Sequence, residues 1–238
     1  IPNKAAPPTG YPVLYMLDGN AVMDRLSDEL FKQLAEQSPP VIVAVGYQTN
    51  LPFDLNGRSY DYTPAVRKNN ETYAGRKSGG SEDFRQLLET RIAVIAEQGL
   101  HINPQRRALW GHSYGGLFVL DSWLSSSYFQ SYYSASPSLG RDNFSLLNRI
   151  TTVTPASYCA KKLVVMEGSA TPGDKRDSNA DRVLTKVNTA MTTLKEKGVD
   201  ASVWDFPGQG HGPMFNASFR SALLDISREK AERKQGCH

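Results

Sequence analysis

What most limits the fold of this chain is a recurrence of short, uncharged apolar runs with stretches of helical period between them. Pro12–Leu17 (PVLYML), Val41–Val45 (VIVAV) and Leu163–Met166 (LVVM) are apolar at successive positions. A strand of that kind is buried on both faces, which calls for parallel neighbours and for helices above and below. Shorter strands are read at Arg107–Trp110, Gln130–Ala135 and Val199–Phe206. Helical patterns fill the gaps: Ala21–Gln37, stopped by Pro39-Pro40; Glu82–Gln98, with Phe84, Leu87, Leu88, Ile92 and Ile95 on one stripe; Asp177–Glu196; and Met214–Lys234. The alternation predicts an α/β chain whose mostly parallel central sheet of six strands carries helices on both faces. Nothing in the composition divides residues 1–238, so one domain is expected. Residues 47–80 carry Tyr, Asn, Gly, Arg and Pro without a period. That stretch is too long for an ordinary connection and reads as an insertion loop over a site.

One motif carries chemistry. Gly111-His112-Ser113-Tyr114-Gly115-Gly116 follows the Arg107–Trp110 strand and opens a helix that runs to about Leu124. This is the setting of a G-x-S-x-G nucleophile elbow, in which a tight strand-to-helix turn presents the serine. Side chains two before and two after the serine are expected to collide, hence the two glycines. The helix N-terminus behind Ser113 favours the negative charge that forms in the transition state.

A serine hydroxyl needs a base to take its proton. Of four histidines, His112 lies inside the elbow, His101 precedes the strand at the wrong end of the sheet, and His238 is the last residue. His211 remains, in Gly208-Gln209-Gly210-His211-Gly212-Pro213 after the last strand, where the order Ser…acid…His places the base. The acid is left open among Glu167, Asp174, Asp177 and Asp181, with Asp205 near the last strand as an outsider, and a Ser–His pair without a dedicated acid is an alternative. The oxyanion hole needs two backbone N–H groups: Tyr114 after the nucleophile, and Asn20 in the Asp18-Gly19-Asn20 turn after the first strand.

Other chemistries lack their signatures. Gly168–Lys175 superficially resembles a phosphate loop, but Asp174 stands where the lysine is required and no Ser or Thr follows Lys175. There is no H-E-x-x-H and no histidine cluster, so neither metal nor cofactor is expected. A net charge of +3 gives no nucleic-acid footprint. No apolar run approaches the ~20 residues of a membrane span.

Four runs carry a family resemblance: Tyr11–Gly19, Arg58-Ser-Tyr-Asp-Tyr-Thr-Pro64, Gly111–Gly116 with Leu117-Phe118, and Ser134-Ala-Ser-Pro-Ser138. In these the chain resembles the esterase D-like family of α/β-hydrolases, and within it the enterochelin esterases. The resemblance implies an α/β-hydrolase fold whose first two strands lie upstream of Ile1. It supports Asn20 as an oxyanion amide. It also implies a periplasmic enzyme that works with a Ser–His dyad on catecholate siderophore trilactones (enterobactin and its glucosylated salmochelin forms) and yields linear products. Arg58, Tyr60, Arg67, Lys68 and Arg76 in the insertion then become candidate contacts for the anionic, aromatic catecholates. A monomer is expected. With a periplasmic address, Cys159 and Cys237, the only two cysteines, are expected to pair. A general carboxylesterase or acyltransferase of the same family, and a binding module that keeps the elbow without activity, are the other readings.

Overall fold

Every uncharged apolar run becomes a strand of one sheet. The computed structural model describes residues 1–65, 72–169 and 178–229. In chain order these form β1 (Tyr11–Met16), α1 (Gly19–Arg25), α2 (Asp28–Ala35), β2 (Val41–Ala44), α3 (Leu55–Asp61), the short strands β3 (Thr72–Tyr73) and β4 (Arg76–Lys77), and α4 (Ser81–Leu87). A π turn (Leu88–Ile92) leads into α5 (Ala93–Glu97), followed by β5 (Ile102–His112), α6 (Tyr114–Ser125), β6 (Ser131–Ala135) and α7 (Ser145–Thr151). The chain continues through β7 (Lys162–Ser169), α8 (Ser178–Glu196), β8 (Asp200–Pro207) and α9 (Met214–Arg228).

The sheet order is β2-β1-β5-β6-β7-β8, and every neighbouring pair is parallel. Successive side chains alternate between two cores, as the strand period of two requires. Val13, Tyr15, Leu109, Tyr132 and Val165 face Phe84, Phe118, Leu146 and Val187 of α4, α6, α7 and α8. Leu14, Met16, Trp110, Tyr133 and Met166 face Val22, Leu30, Phe215 and Phe219 of α1, α2 and α9. Helices therefore cover both faces. The chain reaches the β2 edge and returns to lay β5 beside β1, so the strand order reverses between β1 and β5. In open parallel sheets, sites form at the carboxyl ends of the strands flanking such a switch. Asn20 follows β1 and Ser113 follows β5.

Three elements differ from the sequence reading. The single helix expected over Ala21–Gln37 is two. Leu26 is extended, and Ser27 caps α2 by accepting the Leu30 N–H at 3.2 Å. The unpatterned insertion contains α3, capped by Asp54, which accepts the Gly57 N–H at 2.8 Å. Tyr62, which ends this helix, is fully buried, and its hydroxyl accepts the Asp18 N–H at 3.0 Å. Within Glu82–Gln98 the π turn holds one residue more than an α turn and rotates α5 by about 100° relative to α4. Ala93 is buried, while two residues of the expected stripe are exposed, Ile95 at 72% beyond the π turn and Leu87 at 43% before it.

Cys159 is disulfide-bonded. Cys237, its expected partner, lies outside the described residues. No described helix is long and apolar enough to cross a membrane.

Candidate active site

The elbow forms because β5 runs straight into α6 with no loop between them. Ser113 sits at φ 61° and ψ −115°, a backbone conformation unfavourable for any residue with a Cβ. Two ties hold it there: its N–H donates to Ala135 O of β6 at 2.9 Å, and its carbonyl accepts from Leu117 N. The steric demand on the glycines differs from expectation. A Cβ on Gly111 would stand 2.3 Å from Gly115 O, so Gly111 is obligatory. A Cβ on Gly115 would meet nothing closer than Leu17 at 3.5 Å, whereas one on Gly116 would lie 2.9 Å from Ala135 O. The clash avoided is that of residue 111 with the backbone of the following turn, not with a side chain at 115.

His211 arrives from the loop between β8 and α9, and its Nε2 lies 3.1 Å from Ser113 Oγ. The loop crosses the end of β7 so closely that a Cβ on Gly168 would overlap Gln209 O at 1.9 Å. Ser113 Oγ has a second neighbour at 3.1 Å, the hydroxyl of Ser138 beyond β6. Burial, followed by the nearby Arg58 cation, lowers the His211 pKa below its usual value, so the imidazole is neutral near pH 7. A neutral imidazole beside a serine hydroxyl can act as a general base.

Among the described residues no carboxylate bonds to His211. Asp181 lies exposed in the first turn of α8, and Asp205 is exposed on β8. Asp174 and Asp177 lie outside the described residues. Glu167 occupies the carboxyl end of β7, but it is only 9% exposed and its Oε1 has no partner. Burial pushes its pKa up to about 8, so it is protonated near neutrality.

On the other side of Ser113, the Asp18-Gly19-Asn20 turn is held on three sides. Asp18, in the left-handed region at φ 52°, accepts two hydrogen bonds from Arg58, at 2.9 and 3.1 Å. The Asn20 side chain accepts from Tyr47 N–H and donates to the carbonyls of Tyr47 and Thr49. The Gly19 N–H is taken by Val45 O. The main-chain N–H groups of Asn20 and Tyr114, at the N-termini of α1 and α6, have no acceptor among the described residues. Beside Asn20 opens a cleft of about 370 Å³ lined by Met23, Tyr47 and Leu51 together with the polar Asp24, Thr49 and Asn50. Met23 and Leu51 are among the most exposed apolar side chains of the molecule.

Of the candidate contacts in the insertion, Arg58, Tyr60 and Arg76 lie among the described residues. Arg58 borders the site, with its guanidinium 5.4 Å from the Tyr114 ring and 3.4 Å from His112 O, but it is engaged by Asp18. Tyr60 packs over Gly80 and under Lys77. Arg76 lies in β4, and Arg67 and Lys68 fall outside the described residues. Sequence reasoning missed two side chains. Arg25 stands 4.5 Å from the Phe215 ring and donates to Asn216, with no carboxylate partner among the described residues. Ser138 touches the candidate nucleophile, and the only signal for it was its place in Ser134–Ser138.

A parallel sheet whose central strand ends in a strained serine backed by a helix defines the α/β-hydrolase class. The chain belongs to the esterase family: the family model described as "Putative esterase" matches residues 1–226. It is an enzyme, a carboxylic ester hydrolase of the serine class. It is 68% identical over 242 residues to the apo-salmochelin esterase of Escherichia coli O6:H1 (strain CFT073), covering 100% of this chain and 76% of that protein. The ferri-bacillibactin esterase BesA of Bacillus subtilis (strain 168) is 30% identical over 224 residues, covering 88% of this chain and 76% of its own. The solved structure of the enterobactin and salmochelin hydrolase IroE superposes with a TM-score of 0.86 at 68% identity, over 96% of this chain and 87% of that one. The complex of that hydrolase with DFP matches equally.

Proposed function

We propose that this chain hydrolyses the ester bonds of catecholate siderophore trilactones, enterobactin and its glucosylated forms, through a Ser113–His211 dyad and an acyl-enzyme. The observation that carries the chemistry is the 3.1 Å approach of His211 Nε2 to Ser113 Oγ, with no carboxylate on the imidazole among the described residues. The 68% identity to an apo-salmochelin esterase across the whole chain supports the substrate class.

In this mechanism Ser113 Oγ forms a bond to the ester carbonyl carbon while its proton passes to His211 Nε2. The carbonyl oxygen becomes an oxyanion that accepts from the N–H groups of Asn20 and Tyr114, and the dipole of α6 adds to their field. As the tetrahedral carbon collapses, the C–O bond to the substrate's serine breaks and His211 returns its proton to the departing oxygen. Water, deprotonated by the same imidazole, then attacks the acyl-enzyme and releases Ser113. The cleft beside Asn20, with Met23 and Leu51 exposed, suits an aromatic arm. Opening the ring leaves a linear trimer that is more flexible and carries a new carboxylate, so ordering it again is less favourable. The linear trimer accumulates first. A disulfide-bonded Cys159 accords with a periplasmic address.

The test is a chromatographic time course on enterobactin beside a simple nitrophenyl ester, with fluorophosphonate labelling of Ser113. Linear trimer building up before dimer and monomer is expected, with both activities and the label lost in Ser113→Ala. Turnover of the nitrophenyl ester alone would assign the chain to the general carboxylesterases. Monomer from the earliest points without trimer would reject the ring-opening preference.

A further inference from the structure

We propose that His112, the residue before the nucleophile, is a positioning residue for the base: its ring Nε2–H donates to the main-chain carbonyl of His211 and fixes the loop that carries it. This rests on the Ser113–His211 reading above. The two atoms are 2.8 Å apart, and the imidazoles lie against each other with centroids 4.8 Å apart, tilted by 42°. Phe215 closes the far side of the His112 ring edge-on at 5.4 Å. His112 is only 6% exposed.

A dyad needs such a device. In a triad the acid holds the imidazole from outside. Here the loop holds glycine at 208, 210 and 212, each of which loses more backbone freedom on ordering than another residue does. Other main-chain ties of the loop fall on either side of the base. Gly208 N–H donates to Ser169 O, Gln209 N–H to Phe206 O, Met214 N–H to Gly210 O and Phe215 N–H to Gly212 O. His112 grips residue 211 itself, through its main chain. The contacts form a closed circuit: from Ser113 back one residue to His112, across its ring to His211 O, and through the His211 side chain to Ser113 Oγ. The nucleophile and the clamp on its base are thus adjacent in one turn.

The chemistry of the side chain fits. A donor is needed at the end of a flat, stiff group in a buried place, and it must carry no charge, because His211 becomes a cation during turnover. Burial, and after it the charge of His211, push the His112 pKa down to about 4 against the bond to the His211 carbonyl, which raises it, with the Arg58 and Arg25 cations adding to the lowering. The ring is neutral in the working range. Its single proton sits on Nε2, since that nitrogen faces a carbonyl oxygen.

The test compares His112→Leu with His112→Gln, whose terminal amide can still donate. Readouts are kcat and KM on a nitrophenyl ester, the rate of fluorophosphonate labelling of Ser113, and thermal melting. The Leu variant is expected to lose about 10- to 100-fold in kcat and in labelling rate with KM changed less than about threefold, the scale of a displaced catalytic group. The Gln variant should recover at least several-fold of that loss. Wild-type kcat in His112→Leu overturns the proposal, and so do equal losses in Leu and Gln, which would mark a packing role. If the Leu variant does not fold, His112→Asn, too short to reach His211 O, takes its place against Gln. His211→Ala separates the two readings: normal labelling there rejects the dyad itself, whereas an inert His211→Ala with a wild-type His112→Leu rejects only the clamp.

Discussion

Ser138 Oγ lies 3.1 Å from Ser113 Oγ, and Ser113 Oγ lies equally far from His211 Nε2. A hydroxyl has one proton. If Ser138 donates to Ser113, the Ser113 proton is left to point at the imidazole, which is the arrangement that general-base attack needs. Ser138 touches the nucleophile and not the imidazole, so any effect it has is on the direction of the Ser113 proton.

For Ser138→Ala we expect kcat on a nitrophenyl ester to fall about tenfold, the worth of one hydrogen bond to the reacting oxygen, with KM little changed. Steady-state kinetics checks this, and an unchanged kcat would remove Ser138 from the machinery.

The pH dependence follows from the lowered His211 pKa. Burial and Arg58 disfavour the imidazolium, so the base stays active to lower pH than a free histidine. The rising limb of kcat/KM should be centred below 6.5. A limb centred above 6.5 would show that another group governs the rate.

Glu167 should reveal itself through stability. Its carboxyl titrates near 4.5 in the unfolded chain and near 8 in the folded one, so the folded state binds the extra proton between those values. Stability associated with that proton is complete below pH 4.5 and is lost as pH rises toward 8. Glu167→Gln, which does not titrate, should therefore gain on the wild type with rising pH, on the order of 3 kcal/mol by pH 8. Urea denaturation at pH 5 and 8 measures the difference, and a gap independent of pH would refute the protonated carboxyl. The same variant should keep kcat within about tenfold, against the roughly 10⁴-fold loss from removing a triad acid.

The elbow glycines should separate sharply. Gly111→Ala forces a Cβ to 2.3 Å from Gly115 O and should destabilise by about 3 kcal/mol or more. Gly115→Ala has ordinary room inside a helix, where alanine is favoured by up to about 1 kcal/mol, so its melting temperature should hold or rise. Equal melting temperatures for the two variants would contradict the close approach.

The sheet and the elbow were legible in the residues alone. A doubly buried parallel strand must be apolar at every position, so β1, β2 and the core of β7 declare themselves in a few residues. The elbow does likewise, because its conformation is imposed within the span Gly111–Gly116 and constrains residue type locally. The Ser27 and Asp54 caps were also local signals, although a continuous helical pattern hid the first and the lack of one hid the second. Which side chains face one another across long separations became visible in the folded chain alone. Arg58 reads as a free cation in a polar loop until Asp18, forty residues earlier, is seen to hold it. His112 reads as a variable position of the motif until His211, ninety-nine residues later, presents its carbonyl. Glu167 reads as a surface charge until the packing around β7 strips its water away. Strand burial and turn strain act between near neighbours in the chain, where composition records them. Pairing and desolvation arise only from residues the fold brings together, and no local pattern encodes them.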